Sequence, residues 1–302
     1  MVNLNDFRLF VQIVEHGGFA AAGRILNMSK STLSHRMLAL EKALDARLIN
    51  RTTRRFGLTD VGETFFAEAR AMVRNADAAE ASVRSRAIEP SGLVRYTVAV
   101  SEAQFVLRPA LSDFLGRYPK VNLFEHATDR EVDIFAEGFD LAIRAHPGPL
   151  KDSRLIQRVL GVADWHIFAS PKCLANSGPI SSPADLSDCP ALFTRRAQAN
   201  GAWHLKPEDG GDEHRIAVPP RIVSDSMVGL KEMAKIGFGL VALPAYVSRD
   251  EVARGELVRV LPGWVAGQST LSALIPERRG LLPAVRVFLD HLADVVPDAI
   301  RP

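Results

Sequence analysis

The feature that most constrains this chain is a pair of helical repeats separated by a two-residue turn near the N-terminus. Phe19 to Leu26 has small and apolar residues at helical spacing, Asn27-Met28 forms the turn, and Ser29 is a favourable N-cap for the next helix. The apolar side of that next helix recurs at steps of four, three and four residues, at Leu33, Met37, Leu40 and Leu44. An earlier helix is predicted from Leu4, Phe7, Val11 and Val14, with Gly17-Gly18 ending it.

The third helix has hydrogen-bond donors and positive charge on the side opposite its apolar residues. In a helix-turn-helix, the second helix of the pair enters the major groove and its first residues meet base edges and phosphates. The candidate DNA contacts on this helix are Ser29, Lys30, Ser31, Thr32, Ser34, His35 and Arg36. An ordinary amphipathic helix has the same periodicity, so the helix pair alone leaves DNA binding open.

The segment after the third helix favours DNA binding over that alternative. Residues 48–51 and 55–58 alternate in a strand-like way around Thr52-Thr53-Arg54, which predicts a small β-wing. Its candidate contacts to phosphate or the minor groove are Arg51, Thr53, Arg54 and Arg55. Over residues 24–56, eight basic residues face two acidic ones, whereas residues 89–302 have a net charge of −2. The basic charge therefore lies where a polyanionic partner would bind.

The sequence from Phe7 to Phe66 closely resembles that of the LysR-type transcriptional regulators. It combines the helix pair, the LE after the third helix, the NRTTRR wing and the LTxxGE that opens the next helix. The resemblance implies a sequence-specific regulator of transcription that binds double-stranded promoter DNA. Lys30 and His35 stand where many members have Gln and Arg, so the base preferences of a typical member do not carry over. Gly18 replaces a common Ser and predicts a weaker cap on the second helix.

A long linker helix is predicted from Thr59, which can cap it, to about Ala87. Its apolar residues alternate steps of four and three, as in a coiled-coil seam, at Phe65, Ala69, Met72, Ala76, Ala79 and Val83. The pattern alone also fits a helix that lies on its own domain. The resemblance favours dimerisation through this helix, and it implies a homo-oligomer that is a dimer or a tetramer. Glu89-Pro90-Ser91-Gly92 then breaks the helix.

Beyond Gly92, strand-like runs alternate with helices, which predicts an α/β domain. The predicted elements are a strand over 93–100, a helix to 117, a strand over 121–127, a helix over 131–137, strands over 139–144, 165–170, 237–244 and 270–275, and a helix over 282–292. The segments FLGRYP, EGFDLAIR, ASPKCL, PADL, GFGLVALP and LVRVLPGW resemble the same family. That resemblance implies a two-lobed effector domain like a periplasmic binding protein.

The expected organisation has three parts. Residues 1–59 form a winged helix-turn-helix, residues 60–89 form the linker and dimerisation helix, and residues 90–302 form the two-lobed domain. The first lobe is expected at about 92–162 and 267–302, and the second at about 163–266. The fold class is therefore α/β with an N-terminal winged helix-turn-helix.

A small-molecule effector is expected in the cleft between the lobes, where strand ends and helix starts converge. The positions that match the family's cleft are Ser101, Glu102, Arg144, Thr194, Arg195, Ser224, Asp225, Ser226 and Phe238. Helix-start amides and arginines favour a carboxylate ligand, although Arg196 is better explained as a solvated charge. Glu102 opposes an anion unless it caps its own helix, so an amine stays as the alternative.

Other classes of function find less support. The chain has no GxSxG, GxxxxGK[ST] or HExxH motif and no GxGxxG after a strand, so no enzyme, cofactor or metal site is expected. Its two cysteines, Cys173 and Cys189, are expected to be buried thiols. Leu9 to Val14 is interrupted by Gln12, which predicts neither a signal peptide nor a membrane span. A transport binding protein would suit the two lobes alone, but the basic N-terminal module argues against it. We expect a cytoplasmic regulator with RNA polymerase as a further candidate partner.

Overall fold

The computed structural model describes residues 3–52, 55–84, 89–148, 155–195, 201–276 and 281–301. For residues 51, 52, 55, 74, 75 and 78–84 it describes the backbone alone. The chain divides into two compact units. The first comprises Met1–Glu89, Val132–Phe139 and Arg278–Pro283, and the second comprises Pro90–Glu131, Asp140–Glu277 and Ala284–Pro302.

The first unit begins with the predicted three helices and hairpin. Its elements are α1 (Leu4–Glu15), α2 (Phe19–Leu26), α3 (Lys30–Leu44), β1 (Ile49–Thr52), β2 (Arg55–Leu58) and α4 (Asp60–Arg84). Asn27 adopts a left-handed conformation (φ 51°) and makes the turn between α2 and α3, which short polar Asn tolerates. The strands β1 and β2 pair antiparallel, with Ile49 opposite Leu58. The predicted winged helix-turn-helix is confirmed.

The core of this unit forms where the apolar sides of α1, α3 and α4 meet. Phe10, Ile13, Leu33, Met37 and Leu40 are fully buried there. These are positions at helical spacing, so their burial follows directly from the sequence pattern.

A close backbone approach joins α4 to the start of the wing. The first turn of α4 lies so near Leu48 that a Cβ on Gly62 would stand 2.0 Å from the Leu48 carbonyl oxygen. Only glycine fits at this position, and the LTxxGE segment supplies it. Thr59 Oγ1 accepts from the Gly62 N–H at 2.9 Å, so the predicted cap of the helix is confirmed.

The second unit is built on a nine-stranded sheet with the order β10-β7-β11-β6-β14-β5-β3-β4, and β12 pairs with β6 beside this path. Its strands and helices, in chain order, are β3 (Gly92–Val98), α5, β4 (Val121–Ala127), β5 (Leu141–His146), β6 (Leu155–Ala169), α6 (Pro171–Ser177), β7 (Ala191–Thr194), β8 (Ala202–Pro207), β9 (His214–Ala217), β10 (Pro220–Ser224), α7 (Met227–Lys235), β11 (Leu240–Pro244), α8 (Ala245–Ala253), β12 (Val258–Val260), β13 (Trp264–Val265), β14 (Gln268–Pro276) and α9 (Pro283–Ala299). The helix α5 is α-helical over Val100–Glu102, π-helical over Ala103–Leu107 and α-helical over Arg108–Arg117. A small sheet of order β13-β8-β9 lies beside the large one.

Strand β6 joins the two halves of the large sheet. Over Leu155–Asp164 it pairs antiparallel with β14, and from Trp165 it pairs with β11. On each side of this pair the strands run parallel: β3 pairs with β4 and β5, and β7 pairs with β10 and β11. The sequence pattern predicted only the last part of this fifteen-residue strand.

The predicted helix over 131–137 is wrong, because this segment forms a single turn. The Phe139 N–H bonds the Ile134 carbonyl and the Gly138 N–H bonds the Phe135 carbonyl, which is the arrangement that ends helices. Gly138 has the left-handed conformation (φ 68°) that this ending requires. The following strand begins at Leu141 rather than 139, and α9 extends past 292 to Ala299.

Candidate functional site

The start of α3 is organised by Ser29. Its hydroxyl accepts from the Thr32 N–H at 3.1 Å and lies 2.8 and 2.7 Å from the hydroxyls of Ser31 and Thr32. Five of the predicted contacts have exposed side chains: Ser29, Lys30, Ser31, Thr32 and His35. The cap thus fixes the first turn of α3 and leaves a polar surface of hydroxyl, ammonium and imidazole groups facing outward.

Two predicted contacts on α3 are more enclosed. Arg36 forms an ion pair with Asp6 of α1 at 2.5 Å, and the Asp6 side chain is 11% exposed. Ser34 is half-buried. In this structure Arg36 therefore fixes α3 against α1, which is a structural role that the sequence pattern did not predict.

Glu41 links α3 to the wing. Its carboxylate is buried and Oε1 accepts from the backbone N–H groups of Leu48 and Ile49 at 2.9 and 3.1 Å. The acceptor satisfies two buried donors where the chain enters β1. The sequence showed Glu41 only as part of an LE pair, since the spacing of seven and eight residues to its partners follows no helical or strand repeat.

The predicted wing contacts are only partly described. Arg51 and Arg55 lie on β1 and β2, opposite Phe56 and Thr52 respectively. Their side chains, with Thr53 and Arg54, lie outside the described residues. Their contact with DNA stays a prediction.

The assignment of Phe65 and Ala69 to a seam that faces a partner is corrected. The ring of Phe65 lies 4.9 Å from that of Phe7 and 5.3 Å from that of Phe10, and Ala69 is 1% exposed in the same core. Ala69 is buried and Phe65 is partly buried in the core of their own chain, as in the alternative of a helix lying on its own domain. Met72 is half-buried and Ala76 exposed, while the side chains of Ala79 and Val83 lie outside the described residues.

A cavity of about 270 Å³ opens in the second unit at the carboxyl ends of its parallel strands. The cavity is lined by residues that lie at, or within two residues after, the ends of β3, β4, β5, β7 and β10, namely Ala99, Asp129, His146, Thr194 and Asp225. Trp165 and residues 266–269, where β6 and β14 begin to pair, complete the wall. The position at strand ends from both sides of the sheet is typical of a ligand site in an α/β fold.

Five of the predicted effector residues line this cavity: Glu102, Arg144, Thr194, Arg195 and Asp225. Ser101 does not, because it is buried and its hydroxyl donates to Glu102 Oε2 at 2.6 Å. Ser224 and Ser226 accept hydrogen bonds from the backbone at the start of α7, and Phe238 lies under the guanidinium of Arg221. Arg196 lies outside the described residues.

The charges on the cavity wall are partly paired. Arg195 forms an ion pair with Asp225 at 2.9 Å, and Arg144 donates to Thr97 Oγ1 at 2.8 Å. On the α5 side, Asp129 Oδ1 accepts from the Val100 N–H at 3.1 Å, and the Tyr246 hydroxyl lies 3.4 Å from Glu102 Oε1. Burial, followed by the charge of Glu102, raises the pKa of Tyr246, so this phenol stays protonated and acts as a donor.

The residues where β6 meets β14 were missed by sequence reasoning. Trp165 Nε1 donates to Ser269 Oγ at 3.0 Å, and the backbone N–H of Trp165 bonds the Gly267 carbonyl at 2.8 Å. Trp165 was assigned to a strand, but nothing in its spacing indicated that it also lines a cavity. No sequence signal could have found it, because the exchange of strand neighbours at Trp165 is a tertiary feature.

Other classes of site are not supported by the described part of the chain. No group of His, Cys, Asp and Glu there has the arrangement of a metal site. Cys173 and Cys189 are free, buried thiols, as predicted. None of the described helices is both long and apolar enough to cross a membrane.

Comparison with known families matches nearly the whole chain. The model of the bacterial regulatory helix-turn-helix of the lysR family matches residues 4–63, and that of the LysR substrate binding domain matches residues 87–297. The two regions correspond to the helices and wing described above and to the unit that contains the cavity.

Individual relatives agree with these matches. An HTH-type transcriptional regulator of Xanthomonas campestris pv. campestris is 32% identical over 96% of this chain and 84% of its own length. PtxR, an HTH-type transcriptional regulator of Pseudomonas aeruginosa, is 32% identical over 97% of this chain and 93% of its own. The solved structure of CrgA, a LysR-type regulator from Neisseria meningitidis, aligns with a TM-score of 0.60 at 27% identity and covers 97% of this chain and 99% of CrgA.

Removing the Glu41 carboxylate should loosen the wing. We expect Glu41→Ala to lower the free energy of unfolding of the N-terminal unit by about 2–4 kcal/mol, because two buried N–H groups lose a charged acceptor. Thermal unfolding followed by circular dichroism measures this. Lys42→Ala, at an exposed neighbouring position, is the control and should change stability little. Equal stability of both variants would contradict the role assigned to Glu41.

Proposed function

Because the chain belongs to the LysR family of DNA-binding transcriptional regulators, we propose that a small effector bound in its cavity controls how it acts on promoter DNA. The protein is a regulator and not an enzyme, as its relatives are named. The observation that carries the proposal is the cavity itself, which lies where the carboxyl ends of five parallel strands converge. The junction of β6 with β14 borders the same cavity, which supports an effector that acts on the pairing of these strands.

In the complex with DNA, α3 contacts base edges in the major groove and the wing contacts the sugar-phosphate backbone of the DNA. The exposed Ser29, Lys30, Ser31, Thr32 and His35 are the groups available to base edges, and Ser34 and Arg36 contribute less because they are enclosed. Arg51, Thr53, Arg54 and Arg55 contact phosphate or the minor groove and supply affinity that does not depend on sequence. The protein binds its promoter DNA in the cytoplasm, which is where DNA lies in bacteria such as those of the relatives.

The active species is a homo-oligomer, a dimer or a tetramer of two dimers. On α4 the dimer contact uses Met72, Ala76, Ala79 and Val83, since Phe65 and Ala69 are used by the chain's own core. Both edge strands of the large sheet also expose apolar residues, with Phe124 of β4 44% exposed and Val223 of β10 39% exposed. A second contact at one of these edge strands would complete a tetramer.

The effector has a carboxylate that binds near Thr194, Arg195 and Arg144. Thr194 lines the cavity with a hydroxyl, and the two arginines present N–H groups that match carboxylate oxygens. An effector that prefers one arrangement of the lobes shifts the population of that arrangement, and the oligomer then changes DNA bending or contact with RNA polymerase.

The primary test is binding of the purified protein to the DNA upstream of its own gene, measured by fluorescence anisotropy against a shuffled sequence of equal length. We expect the upstream DNA to bind about a thousandfold more tightly. Equal affinity for both sequences would contradict the proposed function.

In the same assay, Arg51→Ala and Arg54→Ala should each weaken binding to both sequences alike. Each change removes one phosphate contact from each protomer on the DNA, so the magnitude of the negative slope of log affinity against log salt should fall by about one for each such protomer. Arg117→Ala, an exposed arginine in the second unit, should leave both quantities unchanged. An Arg54→Ala protein with a new preferred sequence and intact non-specific affinity would show that Arg54 reads bases.

A charge on the partner-facing side of α4 should disrupt the dimer. We expect Ala76→Glu to shift the mass measured by light scattering toward the monomer and to weaken operator binding, because a desolvated carboxylate would enter the helix contact. Ala71→Glu is the matched control, since it is exposed and lies about 140° around the helix from Ala76. Identical masses for the two variants would contradict the assigned contact side.

Thr194 should contribute to the affinity for a carboxylate. In a thermal-shift screen of small carboxylates, amines and neutral aromatics, we expect a carboxylate to raise the Tm of the wild type, since a ligand of the folded state stabilises it. Thr194→Ala should weaken that ligand roughly tenfold or more through loss of a hydrogen bond to a charged group. Ser187→Ala, which removes an exposed hydroxyl that does not line the cavity, serves as the control. Stabilisation by carboxylates that is equal in wild type and Thr194→Ala would remove Thr194 from the site.

A further inference from the structure

Glu102 is a buried carboxylate that lines the cavity and has no cationic partner among the residues that the structure describes. It is 1% exposed, and its hydrogen bonds come from two hydroxyls, those of Ser101 at 2.6 Å and Tyr246 at 3.4 Å. None of the ion pairs among the described residues includes it. Burying a carboxylate is unfavourable unless a positive charge compensates it.

The lysine that packs against α5 is already paired with another carboxylate. Lys231 Nζ lies 2.7 Å from Glu251 Oε1, both side chains are buried, and the ammonium is 4.5 Å from the centre of the Phe105 ring. Phe105 is one helical turn from Glu102. The structure thus holds two buried carboxylates near α5, one paired with a lysine and one that lines an open cavity.

The start of α5 is also closed to an anion. Asp129 lines the cavity, and its carboxylate accepts from the Val100 N–H at 3.1 Å, at the end of the helix where a ligand carboxylate would otherwise bind. Glu102 follows in the first turn of the same helix. The wall on this side therefore presents two carboxylates in place of a free helix start.

The described charged residues on the cavity wall also have an excess of negative charge. Glu102, Asp129 and Asp225 line it against Arg144 and Arg195, and Arg195 is paired with Asp225. Among the described lining residues, the carboxylates of Glu102 and Asp129 therefore outnumber the guanidinium of Arg144. A ligand with only a carboxylate would increase the excess of negative charge, whereas a protonated amine would reduce it.

We propose that the effector carries a protonated amine, which binds at Glu102 and Asp129. The inference rests on the proposed function, because it names the chemistry of a ligand in the same cavity. With the carboxylate proposed above, the effector is a zwitterion of the amino-acid kind, with its ammonium near α5 and its acid group near Thr194. Trp165, Met227 and Ala266 on the wall suit an apolar side chain.

The first test needs no ligand and compares the two buried carboxylates. Glu102→Gln should leave the Tm of the unliganded protein unchanged or higher, because it removes an uncompensated charge and keeps an oxygen for both hydroxyls. Glu251→Gln should lower the Tm by about 5 °C or more, because it leaves Lys231 buried without its partner. A fall in Tm for Glu102→Gln as large as that for Glu251→Gln would assign the Glu102 charge to stability and overturn the proposal.

The second test uses compounds that share a skeleton and differ in charge. One trio is phenylalanine, 3-phenylpropanoate and 2-phenylethylamine, and the other is norleucine, hexanoate and pentylamine. In wild type the amino acid of at least one trio should raise the Tm more than its acid does. In Glu102→Gln that advantage should disappear while the shift from the acid stays, and Asp129→Asn, which keeps a capping oxygen, should reduce the advantage in part.

The outcomes separate this proposal from the one on which it rests. The proposed amine site is wrong if an acid raises the Tm as much as its amino acid does. It is also wrong if the amino acid still raises the Tm more than its acid in Glu102→Gln. Either result leaves the proposed carboxylate site unaffected. An amine that acts without any effect of the acids supports Glu102 and overturns the carboxylate. No shift from any of the six compounds overturns both.

Discussion

The pairing of β6 with two different neighbours is the constraint on which the second unit depends. Its first ten residues bond to β14, and from Trp165 onward the strand bonds to β11. One continuous backbone therefore belongs to both halves of the sheet, and the parallel strands on either side are held with their carboxyl ends toward the same cavity. The exchange of neighbours coincides with Gly267 and Gln268, where β14 starts. A change in the relative position of the halves must pass through these few residues, so a ligand that touches Trp165 and Ser269 contacts the hinge directly.

Local repeats predicted the elements of the first unit well, because each helix of the winged helix-turn-helix buries one apolar side. Leu33, Met37 and Leu40 are buried as their spacing indicates. The same repeat could not decide what Phe65 and Ala69 are buried against, since a seam that faces a partner and a side that faces α1 have identical spacing. Strand β6 was underestimated for a related reason. Exposed and buried residues are mixed in the first part of β6, and the strand changes neighbours midway. Only its last part has the continuous run of buried residues by which a strand is predicted from sequence.

The chemistry of the cavity was harder to predict than its place in the fold. Strand ends and helix starts located it, and five of the predicted residues line it. Ser101 and Glu102 are adjacent in sequence, yet the serine is a buried donor to its neighbour and the glutamate lines the wall. The cap on α5 comes from Asp129, twenty-nine residues away along the chain. Such pairings depend on tertiary contacts, which no local pattern contains.

Glu102 also connects the cavity to a second helix. The Tyr246 hydroxyl, on α8, donates to it over 3.4 Å, which is a long hydrogen bond, whereas the neighbouring Lys231–Glu251 contact between α7 and α8 is short at 2.7 Å. The raised pKa of Tyr246 keeps its proton available to Glu102 at any physiological pH. A ligand ammonium that binds the Glu102 carboxylate would compete for the same oxygens and weaken the bond to α8, while the Lys231–Glu251 pair would hold α7 and α8 together. Ligand binding would therefore displace α7 and α8 together. One hydrogen bond contributes about 0.5–1.5 kcal/mol net, and a difference of about 1.4 kcal/mol between two arrangements changes their ratio tenfold, so the loss of this long bond would change the ratio by less than tenfold.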